Sequence, residues 1–136
     1  MADDWNRLTA ANYAVRLRDA GFSYVMPKLH HGTSINHQHL DWVGEWRAAG
    51  FGVIGWGYLD ASGTPDAIAD VAYARCWLLD LDGYVVDAED ECEGAGMWRL
   101  RPFLERMREL APVAPIAVSG VGAAYYPWVR ELDYAA

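Results

Sequence analysis

Four short β-rich runs, Phe22–Leu29, Phe51–Tyr58, Gly83–Glu89 and Pro115–Gly120, begin about 30 residues apart, and the gaps between them carry helical spacing. Thr9 to Ala20 sets Ala11, Ala14 and Val15 on one side, with Thr9 as the expected N-cap. His39 to Ala49 does the same with Leu40, Val43 and Trp46. Thr64-Pro65-Asp66 opens a third helix, a capping residue followed by proline in the first turn, that runs to about Leu78. In the fourth, Trp98 to Leu110, the apolar residues Leu100, Phe103, Leu104 and Met107 fall at i, i+3, i+4 and i+7. The first two helices end in Ala-Gly and pass at once into a strand, as a C-cap glycine allows. Strand and helix alternating at this period predicts parallel βα units with right-handed crossovers. The nearly continuous apolar runs suit strands covered on both faces.

Two compact architectures satisfy that pattern. A complete (β/α)8 barrel takes ~250 residues, whereas this chain has 136, so four units and a fragment amount to about half of one. The closing Glu131–Ala136 reads as the approach to a further strand. The expectation is an α/β protein of parallel βα repeats, partial and TIM-barrel-like, with a small open doubly wound sheet as the alternative. Residues 1–136 are read as one domain, an incomplete barrel with 1–8 as an N-terminal tail. A half-barrel leaves sheet edges for a second copy to cover, which makes a homo-oligomer an expected partner.

Composition narrows the function classes. Lys and Arg number 11 against 19 Asp and Glu, a formal charge of −8, and the single lysine is Lys28. A phosphate-backbone binder needs clustered cations, so nucleic acid is excluded as a partner. No stretch approaches the ~20 apolar residues that cross a bilayer, and the acidic start Met1–Asn6 lacks the basic, apolar character of a signal peptide. A soluble protein without a membrane partner is expected. Cys76 and Cys92 are too few for a disulfide framework and read as reduced thiols. His30, His31, His37 and His39 match no strong zinc spacing, so no metal and no cofactor is expected.

In parallel α/β folds the working residues gather at the C-terminal ends of strands. The first run delivers Lys28, His30, His31 and Thr33 there; the second Trp56, Tyr58 and Asp60; the third Asp87 and Glu89, followed by Asp90, Glu91 and Glu93; the fourth Ser119, followed by Tyr125 and Tyr126. Aromatic rings with carboxylates, and no cationic cradle, suit a neutral polyol such as a sugar. Lys28, His30, Trp56, Tyr58, Asp82 and Ser119 are the expected substrate-binding residues. Trp42, Trp46, Trp77, Trp98 and Trp128, at helical positions, are read as packing. Asp87 and Glu89 are two apart on a strand and so point the same way, with Cα atoms ~7 Å apart. Carboxylates this close are expected to split their protonation, one serving as general acid while the other stays charged. Glycoside hydrolysis uses such a pair. The alternative reading of Asp87 to Glu93 is a solvated acidic loop.

The stretch Asp82-Gly-Tyr-Val-Val-Asp-Ala-Glu89 resembles the signature of chitinase-type glycoside hydrolases, Asp-Gly, three strand residues, then Asp-x-Glu at the end of barrel strand four. The resemblance implies Glu89 as proton donor and Asp87 as the residue that orients the substrate's acetamido group, with Val85 standing where that family has its middle aspartate. The wider run, from Tyr24-Val-Met-Pro-Lys-Leu-His30 through Gly-Trp-Gly-Tyr58 to Val-Asp-Ala-Glu89, is similar to the muramidase-like barrels of phage and lysozyme type. Together these imply hydrolysis of an N-acetylated, cell-wall or chitin-like glycan. A non-catalytic barrel fragment that binds glycan or assembles with another chain is the first alternative. Leu78-Leu-Asp-Leu-Asp-Gly-Tyr-Val-Val-Asp87 also resembles the opening motif of haloacid-dehalogenase-like phosphatases, which implies Asp80 as nucleophile and Asp82 as acid/base in a Mg²⁺-dependent reaction. No lysine follows Lys28 to offset a phosphoaspartate, so this ranks last.

Overall fold

A computed structural model describes residues 10–76, 79, 81–89, 92 and 97–120. Among these residues four helices and six strands follow in the order α1 (Ala10–Asp19), β1 (Tyr24–Val25), β2 (Lys28–His31), β3 (Ser34–Ile35), α2 (His37–Ala48), β4 (Gly52–Tyr58), α3 (Pro65–Val71), β5 (Gly83–Asp87), α4 (Met97–Leu110) and β6 (Ile116–Ser119). A π-helical stretch, Ala72–Cys76, continues α3. The tail 1–8, the Thr9 cap, Trp77, Asp80, Asp90, Glu91, Glu93, Tyr125, Tyr126, Trp128 and Glu131–Ala136 lie outside the described residues, as do the side chains of Cys76 and Trp98.

Local chemistry accounts for the element ends. The Thr64 side chain accepts from Ala67 N–H and Pro65 occupies the first turn of α3, while the Asn36 side chain caps α2 by accepting from His39 N–H. Gly21 and Gly50 follow α1 and α2 with φ of 83° and 85°, and the next residues, Phe22 and Phe51, donate back to Leu17 and Trp46 carbonyls. That left-handed turn needs glycine, and it drops the chain directly into the following strand.

The sheet is open and mostly parallel, ordered β3-β2-β4-β5-β6, with β1 also paired to β4. The first expected strand is therefore two pieces, interrupted at Met26-Pro27 because proline offers no N–H to the ladder. Both pieces keep one register on β4: Tyr24 faces Gly52, Val25 faces Val53 and Lys28 faces Trp56. A bulge then falls between Lys28 and His30. The antiparallel β2–β3 hairpin, with His30 opposite Ile35, was absent from the sequence expectation. It turns through Gly32, at φ 53°, and folds the chain back along the outer edge of β2.

Strands added in sequence order by crossovers of one hand put every helix on the same side, and the core has that form. Val53 and Leu29 join Ala10, Ala14, Val43 and Trp46 under α1 and α2. Leu59, Tyr84 and Val86 join Ile68, Leu100, Phe103 and Met107 under α3 and α4. These strand residues share one face through the register Val25–Val53, Gly55–Tyr84 and Gly57–Val86. No described helix packs on the other face. Burial along β4 consequently alternates, with Val53, Gly55 and Gly57 buried and Ile54, Trp56 and Tyr58 only half-buried. Coverage on both faces, expected from the apolar runs and from a doubly wound sheet, is replaced among the described residues by helices on one. None of the described helices is long and apolar enough to cross a membrane.

Candidate functional site on the open sheet face

The half-buried face collects most of the residues singled out in the sequence. Parallel register aligns His31, Tyr58, Asp87 and Ser119 in one row across β2, β4, β5 and β6. The row before it runs Lys28, Trp56, Val85 and Ala117. Lys28 Nζ stands 4.7 Å from the Trp56 ring centroid and 5.5 Å from that of Tyr58, near enough for both ring faces to attract the ammonium. Trp56 Nε1 donates to the Met26 carbonyl at 3.1 Å, which fixes the indole plane. Further back, the Tyr24 ring lies against Gly52, where a Cβ would come within 2.2 Å of it.

Asp87 ends β5 half-buried, Ala88 turns into the core and Glu89 is exposed. The alternation of burial therefore continues past the strand, with both carboxylates off the core. No described cation pairs with either side chain.

The bulge in β2 decides which histidine reaches this face. It turns Leu29 and His30 both toward the helices, and Lys28 and His31 both outward. His31 ends β2 and is not among the expected substrate-binding residues. It meets Asp60 with Nε2 to Oδ2 at 3.1 Å, stacks obliquely on Tyr58 at 4.9 Å between centroids, and has Nδ1 3.4 Å from Lys28 Nζ. Partial burial opposes ionisation of Asp60. Hydrogen bonds from the Ser62 hydroxyl and N–H outweigh it, aided by His31 and Arg99, and hold the carboxyl below its ordinary range. Ser62 Oγ and N lie 2.6 and 3.0 Å from Asp60 Oδ1, and Arg99 donates to the Asp60 and Gly63 carbonyls at 2.5 Å. Neither the bulge nor the His31–Asp60 contact has a signature in composition or spacing.

His30 and Asp82, both expected to bind substrate, lie elsewhere. The His30 ring sits against Gly57 on the covered face, where a Cβ would come within 1.9 Å of Nε2. Nδ1 lies 2.8 Å from the Gly32 carbonyl, which only accepts, so Nδ1 carries the proton. Nε2 then accepts from the Tyr84 hydroxyl at 2.5 Å. Burial, opposed by the Gly32 hydrogen bond and reinforced by Lys28, lowers its pKa from 6.5 to about 4. His30 is a neutral core residue beneath the site. Asp82 precedes β5 at the opposite end of the sheet, accepting from Val53 N–H at 2.8 Å and pairing with Arg47 at 3.1 Å. Asp80, the other aspartate of the phosphatase-like motif, lies outside the described residues.

Of the tryptophans read as packing, Trp46 is buried between Tyr13 and Phe51, and Trp42 lies against His39. Cys92 is buried, its thiol 3.9 Å from the Leu59 carbonyl. Among the described residues no group of three His, Cys, Asp or Glu side chains is placed to hold a metal ion. No family model matches the sequence, nor does any curated protein.

Proposed function

We propose that the open face is a carbohydrate site of the glycosidase type, acting on an N-acetylated glycan. The observation that carries this reading is one row: Tyr58, Asp87 and Ser119 side by side at the C-terminal ends of β4, β5 and β6, with Trp56 beneath and Glu89 just beyond. Apolar ring faces are what the C–H faces of a pyranose pack on, and convergent hydroxyl and carboxylate groups hold its hydroxyls. Exposed Glu89 is the candidate proton donor to the leaving oxygen. Asp87, flanked by Tyr58 and Ser119, orients the sugar and offsets positive charge as the glycosidic bond breaks.

Glu89→Gln keeps size and hydrogen bonding but has no proton to give. Loss of a positioned acid costs about 10²–10⁴-fold in rate. Reducing-end release from chitin oligosaccharides or peptidoglycan fragments should fall by that much in the variant, with an unchanged circular dichroism spectrum. Equal turnover by wild type and Glu89→Gln would sink the assignment. A binding-only role is favoured by Val85, an apolar residue where the resembled family has its middle aspartate. It predicts glycan binding weakened by Trp56→Ala, and no hydrolysis by any form of the chain.

A further inference from the structure

Lys28 is the only lysine in a chain of formal charge −8, yet no described carboxylate pairs with it. Its ammonium is held instead over the rings of Trp56 and Tyr58. Rings attract the charge but take up none of the three N–H donors in a full hydrogen bond. One donor goes to His31. An ammonium only donates, so Nδ1 of His31 accepts, and the ring proton on Nε2 goes to Asp60. Asp60 is in turn held by Ser62, and Gly32 leaves room for both, since a Cβ there would fall within 2.1 Å of Asp60 Oδ1 and Ser62 Oγ. A continuous chain of hydrogen bonds thus anchors the lysine head to the loop after β4, and two of its donors meet no acceptor among the described residues.

The charge is also placed with direction. Lys28 is on β2 and Asp87 on β5, with the rings of β4 between them. Two strand spacings separate the flanking strands, about 10 Å. The row shared by Lys28 continues through Trp56, Val85 and Ala117, so it holds no carboxylate of its own.

Building on the carbohydrate reading above, we infer that Lys28 is a recognition residue for a carboxylate on the glycan, so that the N-acetylated chain this face prefers also carries a uronic-acid-type residue. Its ring covers Trp56 and Tyr58 and its carboxylate meets the Lys28 ammonium. The reversed orientation would set that carboxylate against Asp87, a like-charge clash. His31 and Asp60 act as positioning residues, fixing the ammonium over the rings.

A protein with one lysine carries its own probe. In ¹³C-lysine-labelled full-length chain, the single Cε–Hε signal is followed during titration with glucuronate, glucose and acetate. Glucuronate should move the signal saturably, with glucose and acetate at least tenfold weaker. By calorimetry, Lys28→Met, which keeps the aliphatic stem over the rings, should bind glucuronate no better than glucose. Asp60→Asn should shrink the preference for glucuronate over glucose several-fold, a ratio that a purely structural role would leave alone. Glucose and glucuronate binding equally would overturn the inference and leave the carbohydrate face standing. Acetate matching glucuronate would overturn it in favour of a small-anion hole. Were neither these sugars nor a chitin oligosaccharide to bind, the carbohydrate reading would fall with it.

Discussion

The two faces of one sheet are built by the same strands and have opposite characters. On the helix side Val53, Leu59, Tyr84 and Val86 are buried to 1% or less of their surface, and the one histidine among them has both ring nitrogens satisfied. On the other side Ile54, Trp56, Tyr58 and Val85 are half-buried, and Lys28, His31, Asp87 and Ser119 stand beside them. Polar groups on the first face are locked into fixed partners, as burial demands. Those on the second are aligned by register and left accessible. Sequential strand order is the cause, because it sends every described helix to one side and leaves the other uncovered by them.

The sharpest way to break that contrast is to truncate one large ring on each face. Phe103→Ala empties space in the covered cluster and should cost about 3–5 kcal/mol. Trp56→Ala removes a ring that packs on one side only and should cost no more than about 1.5 kcal/mol in urea denaturation. Similar losses for both would mean that the open face is a second core.

His30 supplies the next test, through pH. Its pKa is about 4 in the fold against 6.5 ordinarily, so between those values the unfolded chain holds a proton that the folded chain lacks. Stability from neutral His30 is fully present above about pH 6.5 and is lost as pH falls toward 4, by about 3 kcal/mol over the whole window. Paired denaturation curves at pH 7 and pH 4.5 for wild type and His30→Gln isolate this contribution from the carboxylates. An equal pH loss in the two proteins would place the proton elsewhere. Smaller still is Gly57→Ala, whose methyl would meet the His30 ring. Overpacking of this kind costs about 1–3 kcal/mol, and thermal melts should show it without altered binding on the opposite face.

The periodic parts of this fold were legible in the sequence because period and capping are local. Apolar residues at i, i+3, i+4 and i+7 in α4, Thr64-Pro65 before α3 and Ala-Gly before β4 are each written in a few adjacent positions. Trp56, Tyr58, Asp87 and Ser119 were legible as strand-end residues because the period of the runs fixes where each strand stops; that they share one face is set by the register between strands. The two-residue β3 was illegible, since Ser34-Ile35 has no periodicity of its own and is a strand only because β2 lies beside it. The bulge in β2 was illegible for a similar reason. It makes Leu29 and His30 share the covered face, against simple alternation, and so exchanges His30 for His31 at the site. Asp82 was grouped with the strand-end residues although the motif itself sets it before the strand, five residues from Asp87 and so at the other end of β5.

Asp82 gives the smallest effect and tests the last point of the comparison, that the two ends of the sheet differ as its faces do. At this end the carboxylate ties the start of β4 to α2, through Val53 N–H and Arg47. The ion pair is about one-third exposed on each side, so solvent screens it to well under 1 kcal/mol. The backbone hydrogen bond survives in Asp82→Asn if the amide oxygen takes over as acceptor. A loss of at most about 1 kcal/mol is expected, with glycan binding and turnover unchanged because the residue stands a strand's length from Glu89. An Asp82→Asn protein that folds normally but loses activity would move the chemistry to the N-terminal end of β5 and restore the phosphatase-like reading.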